Sequence, residues 1–167
     1  MEPAQVQVTY MQMFAPPVAP LLRRAEPVQR VQLEIAAYLE LYRQIGSPWG
    51  WDKRLLQSAA EVNSWLHSGR LRTYVLLDGA AAPMGLCEFD RLNVADVELT
   101  NFGLLPAYIG RRLGPWLLAV ALQSEWTERP SRIWLHTDTG DHPRAIDTYR
   151  RAGFAVFDQR WEAVEGL

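Results

Sequence analysis

The chain carries a single cysteine, Cys87, in 167 residues, so it cannot close an internal disulfide. That suits a reducing compartment. Long apolar runs are missing too: Pro115 to Leu122 is the longest apolar-leaning stretch, far short of the ~20 residues that cross a bilayer as a helix. The opening MEPAQVQVTYMQM has neither the positive start nor the apolar core of a secretory signal. Neither charge sign dominates, since 17 Lys and Arg stand against 19 Asp and Glu for a formal -2. A surface without basic excess argues against nucleic acid, whose phosphates call for cations. No zinc finger, basic helix, internal repeat or low-complexity tract occurs. These absences point to a cytoplasmic protein that binds neither nucleic acid nor membrane. With 49% hydrophobic and 22% charged residues, the chain has the balance of a globular protein. Its length suits one domain, residues 1–167, with a substantial core.

Tryptophan is plentiful, at seven residues. Indole rings line cores and also build pockets for apolar or amphipathic ligands, and composition does not choose between the two. Along the chain, Val6 to Met13 alternates as a first strand, closed by a turn at Pro16, Pro17 and Pro20. Residues 31–45 repeat apolar side chains at three- and four-residue steps, which predicts a helix ended by Gly46 and Pro48. A second helix is expected from about Asp52, as its cap, to His67. Strands follow at Arg72–Leu77, Met84–Asp90 and Asp96–Leu104, then a helix over Leu113–Glu128 with Leu117, Leu118, Ala121, Leu122 and Trp126 on its buried side. A strand at Ser131–Thr137, a helix at Pro143–Arg151 and a strand at Phe154–Trp161 complete the order β-α-α-β-β-β-α-β-α-β. That is an α/β fold with a mixed central sheet flanked by helices.

Gly110 and Gly114 bracket Arg111, Arg112 and Leu113 at the start of the long helix. Glycines there let a turn take positive φ, and the free N–H groups of a helix start can converge on a pyrophosphate. The lysine of a Walker loop is absent, and the glycine spacing is not that of a dinucleotide fingerprint. On spacing alone, an ordinary strand–helix connection is an equally good account. His136, Asp138, Asp141 and His142 cluster in sequence, but their spacing matches no usual zinc template, so no metal is expected. Cys87, in an apolar strand, reads as packing.

The segment IGRRLGPWLL, preceded by ELTNFGLLPAY and followed by HPRAIDTYRRAGF, resembles the acyl-CoA-binding core of the GNAT superfamily of N-acetyltransferases. The family's loop reads Arg/Gln-x-x-Gly-x-Gly/Ala; here Ile109 replaces the leading Arg/Gln, Arg112 replaces the first glycine, and Gly114 matches the last. Ala145, Tyr149, Gly153 and Phe154 meet a second family pattern, with His142 where Asn is usual. The likeness is clearest over residues 72–161. It implies a single-domain acyl-CoA N-acyltransferase-like fold and transfer of an acetyl group from acetyl-CoA directly to a primary amine of a small molecule or peptide. The alternative it leaves is an inactive CoA-binding or regulatory protein of the same fold. The cofactor would meet Phe102, Gly103 and Leu104 along the strand, Ile109, Gly110, Arg111, Arg112, Leu113 and Gly114 at the loop, and His142 and Tyr149 beyond. Glu98 falls at the general base and Tyr149 at the general acid. Trp49, Trp51 and Asp52 fall where the acceptor binds, or else the two rings anchor their loop to the core. The resemblance admits a homodimer, although no exposed stripe for one can be read from the sequence.

Overall fold

The computed structural model describes residues 4–18 and 23–164; Pro20 and both ends of the 1–167 range lie outside them. In chain order the elements are β1 (Gln5–Met13), β2 (Val28–Val31), α1 (Ile35–Gly46), α2 (Lys53–Leu56), α3 (Ala59–Leu66), β3 (Leu71–Leu77), β4 (Pro83–Arg91), β5 (Asp96–Leu104), α4 (Leu113–Trp126), β6 (Arg132–Asp138), α5 (Ala145–Ala152) and β7 (Ala155–Ala163). Among the described residues the sheet has seven strands, ordered β2-β3-β4-β5-β6-β1-β7, antiparallel everywhere except between β5 and β6. The α/β class with a mixed sheet is therefore as the sequence indicates.

Two helix expectations are corrected. Val31 belongs to a short strand, not to the first helix: Val28–Val31 pairs with Leu76–Thr73 of β3, and the helix begins only at Ile35. Its place in a helical spacing is coincidental, because the helix buries its own face through Tyr38, Leu41, Tyr42 and Ile45. The expected helix over residues 52–67 is two. Gln57 takes an extended conformation, and Ser58 restarts the chain with a full capping box: its Oγ accepts from the Glu61 N–H while the Glu61 carboxylate accepts from the Ser58 N–H. Asp52 occupies the cap position of α2, but its side chain makes no capping bond. Trp126, expected on the buried side of α4, is only half-buried.

The strand β4, third of the seven, lies inside the sheet with eight of its nine residues buried. Its alternation feeds two cores. Cys87 and Phe89 face α4, meeting Leu117, Leu118, Ala121 and Leu122, while Leu86 faces α1 at Leu41 and Ile45. Each leucine buried in this way stabilises the fold by roughly 1.5–3 kcal/mol. Helices α1 to α3 thus cover one face and α4 with α5 the other. The indole N–H of Trp116 on α4 donates to the Glu26 carbonyl, tying the approach to β2 down onto that helix.

Candidate active site

The two central parallel strands stay together for only three residue pairs, Asp96↔Arg132, Val97↔Ile133 and Glu98↔Trp134. The closed end is clamped by Arg132, whose Nε and Nη2 donate to the two Asp96 carboxylate oxygens at 2.8 and 3.2 Å. Beyond Glu98 the strands part. A bulge at Thr100 starts the divergence, since Phe89 faces Leu99 while its neighbour Glu88 faces Asn101. The buried Glu88 carboxylate holds this bulge, accepting from Thr100 Oγ1 at 3.0 Å and Asn101 Nδ2 at 2.8 Å. Past the bulge the Leu105 N–H donates to Met84 O at 2.9 Å. By the alternation of an antiparallel ladder, Gly103 then turns its main chain to β4, and Phe102 and Leu104 turn theirs into the gap.

The gap opens into a cavity of about 1340 Å³. At one end α4 begins. Gly110 has φ 86° and Arg112, directly before the first helical residue, has φ 59°. The non-glycine residue in the loop thus adopts the left-handed backbone that favours glycine. Ile109, Gly110, Arg112, Leu113 and Gly114 all line the cavity. Arg111 does not: its guanidinium lies over the Tyr108 ring, 5.3 Å from the centroid. A Cβ added at Gly114 would meet Phe102 Cζ at 3.5 Å, ordinary contact, so this position is open toward the strand. Gly103 is different, because a Cβ there would sit 2.5 Å from Ile45 Cγ2; its bareness lets α1 approach the sheet.

Midway, Tyr149 on α5 is buried with its ring between Phe102 and Phe154, centroids 5.9 and 6.0 Å away. Burial, then Asp141 and Cys87, push its phenol well above the usual value, so it stays protonated. His142 accepts the Arg144 N–H at 3.1 Å on Nδ1, orienting the turn into α5, and meets Trp49 edge-on at 4.9 Å.

At the other end Glu98 projects from β5. Burial, then Asp90, raise its carboxyl above the usual range. His136 Nε2 lies 3.6 Å from Glu98 Oε1, and burial lowers the imidazole, which makes the pair a neutral ring beside a carboxyl at neutral pH. Trp49, Trp51 and Asp52 also line the cavity. Trp51 also packs on Tyr42, centroids 5.5 Å apart, and on both helix-side clusters, so it anchors its loop as well as walling the cavity. Sequence reading missed Arg54, Asp90 and Asn101, which join the lining here. Asp90 is held by Arg70 through bonds of 3.0 and 2.7 Å, and Arg54 stacks over Trp65 at 4.3 Å. The cue available was Glu88 and Asp90 alternating with the apolar residues Cys87 and Phe89 of that strand.

Taken chemically, the cavity joins an unpaired strand edge, a helix start rich in free N–H groups, a protonated phenol and a carboxyl of raised pKa. A sequence model described as the acetyltransferase (GNAT) family matches residues 35–154. Among solved structures, the chain is similar to a GCN5-related N-acetyltransferase from Sphaerobacter thermophilus, at 17% identity and TM-score 0.68, over 96% of this chain and 50% of that one. It is similar to a tandem GNAT protein from the clavulanic acid biosynthesis pathway at 16% identity and TM-score 0.67, over 92% and 51%. A spermidine N-acetyltransferase chimera from Vibrio cholerae matches at 20% identity and TM-score 0.58, over 77% and 80%. At such identities the likeness is one of fold, and the chain spans about half the length of the first two. No curated protein matches the sequence.

Proposed function

Because the chain belongs to the acetyltransferase (GNAT) family, we propose that it transfers an acetyl group from acetyl-CoA directly to a primary amine of a small molecule or peptide. The observation that carries this reading is the parting of β5 and β6 immediately beyond Glu98, with Phe102 and Leu104 turned into the gap. An extended pantetheine arm fits there as an added strand. Acetyl-CoA, when bound, supplies a thioester whose carbonyl carbon accepts the amine. The pyrophosphate falls to the N–H groups from Gly110 to Gly114 at the start of α4, with His142 and Tyr149 along the arm. Residues 72–161 hold the cofactor and the reacting groups within one domain.

The remaining work belongs to the chain's own groups. An alkyl amine arrives as ammonium and must lose a proton before it attacks. Glu98 takes that proton, directly or through water; its raised pKa makes it a better base than an exposed glutamate. The Leu104 N–H donates to the carbonyl oxygen as negative charge grows there. As the new C–N bond forms and the C–S bond breaks, Tyr149 gives its proton to the departing sulfur. Trp49, Trp51 and Asp52 receive the acceptor, the rings through its apolar body and the carboxylate through its charge. A solved neighbour being a spermidine N-acetyltransferase supports an amine acceptor.

The test is calorimetric titration with acetyl-CoA of the wild type and of Gly114→Glu, whose fold is checked by circular dichroism, followed by turnover on an amine panel that includes spermidine. Saturable binding lost in the variant, with acetylation of an amine, is the expected result. Binding without turnover on any amine would make the protein a CoA-binding regulator, and no binding by the folded wild type would overturn the reading.

A further inference from the structure

Among the described residues two arginines are buried, each 8% exposed, and their surroundings differ. Arg91 lies 2.7 Å from a Glu125 oxygen and 3.4 Å from one of Glu128. Arg54 makes no ion pair with any described residue. Its Nη1 donates to the Gln57 side-chain oxygen at 3.1 Å, and its guanidinium stacks on Trp65 at 4.3 Å. The Nε N–H is buried without an acceptor, and Nη2 has none either among the described residues. A guanidinium taken out of water in this way is costly until a counter-charge replaces the solvent.

The acids nearby are engaged elsewhere. Asp90 is gripped by Arg70 through two bonds. Glu88 turns one oxygen to Thr100 and Asn101 at the bulge. Glu98 lies beside His136; burial, then Asp90, raise its carboxyl, although Lys53 and Arg54 pull the other way. Lys53 is exposed and also lines the cavity. Arg54 thus lies close to the proposed base, on the wall of the same cavity, with no anion of its own.

We propose, building on the transfer reaction inferred above, that the acceptor is a free amino acid whose carboxylate binds Arg54 while its amine reaches Glu98. A carboxylate on Nη2 supplies the missing counter-ion through a charge-assisted bond. The Trp65 stack and the Gln57 bond hold the guanidinium in place beforehand, so little side-chain freedom is lost on binding. Lys53 adds a second positive charge to the same wall. The amine and carboxylate of an amino acid are separated by a single carbon, which suits a base and a cation near enough to act on one another. The apolar body then falls to Trp49 and Trp51, whose rings line the cavity. A simple alkylamine would bring only positive charge to a wall that already carries two cations.

The test uses the wild type saturated with CoA, which has no acetyl group to transfer, so that binding is read without turnover. Phenylalanine, phenylalanine amide and phenethylamine share a ring and an amine, and only the first has a carboxylate. Calorimetry should show phenylalanine binding roughly tenfold or more tightly than either of the others. In Arg54→Met, checked for folding by circular dichroism, that ratio should collapse to within about twofold of one. Arg54→Lys, which keeps the charge, should recover part of it. A residue that only positions Glu98 or holds its helix in place would alter all three ligands alike and leave the ratio standing. That result overturns the proposal, as does a wild type that takes phenethylamine as well as phenylalanine. Failure of every standard amino acid to bind the CoA complex overturns it too. The reading beneath it is judged separately: cofactor binding with acetylation only of amines that lack a carboxylate would leave acetyl transfer intact and sink the amino acid, whereas no cofactor binding would sink both.

Discussion

Burial of Glu98 beside Asp90 makes its carboxyl harder to ionise, and that sets the sign of two measurements. As the proposed base it must be ionised, so turnover should fall as pH drops through a pKa lying above the ordinary 4.5. Glu98→Gln should lower kcat roughly 10²–10⁴-fold and remove that acid limb of the pH–rate profile. A pKa raised on folding also contributes stability that is present below the unfolded value and lost as pH rises through the folded one. The same variant should therefore melt higher than wild type at neutral pH, with the gain vanishing on acidification. Tyr149→Phe keeps the ring between Phe102 and Phe154 and should lower kcat roughly 10²-fold with acetyl-CoA affinity unchanged in calorimetry. Both residues were legible in sequence because each falls at a fixed distance from a turn or strand that the pattern marks. Arg54, Asp90 and Asn101 were not, since they come from α2, β4 and β5, and only the packing of α1 and α2 on the sheet brings them to one wall.

At the scale of elements, the decisive local facts are close approaches and caps. Gly103→Ala should destabilise by about 1–3 kcal/mol in urea melts, because its Cβ would meet Ile45 Cγ2 at 2.5 Å. Combined with Ile45→Ala the cost should be less than the sum, the signature of a shared contact. Sequence could not announce this glycine as a packing position: nothing in ELTNFGL tells that Ile45, 58 residues earlier in the chain, lies against it. The Ser58–Glu61 capping box, by contrast, was written in the sequence and marks where one expected helix becomes two. The short strand β2 was hidden because Val31 happens to continue the spacing of the helix that follows. The loop substitution Arg112 was visible, but its left-handed backbone is a property of the turn and not of the residue.

For the molecule as a whole, the helix that carries the loop must be fixed to the strands that carry the proposed base, and a buried ion pair does this away from the cavity. Arg91 at the end of β4 donates to Glu125 of α4 at 2.7 Å, and Glu125 also accepts from the Tyr74 hydroxyl at 2.6 Å. Both charged side chains are buried. Glu125→Gln leaves Arg91 only the more exposed Glu128 carboxylate, 3.4 Å from its Nη2, and should cost about 1–3 kcal/mol in urea melts, still more than loss of the exposed Arg151–Asp147 pair. The alternation of apolar residues foretold the sheet and its helices, whereas the order of the strands, and with it the gap between β5 and β6, came only from the structure. That gap has a consequence for descent. A site whose proposed central contacts are main-chain groups of Phe102 and Leu104 is indifferent to which side chains those positions carry, so lineages can drift until little residue-level likeness survives and still inherit the same place for an extended ligand, provided the bulge and the parting of the strands persist.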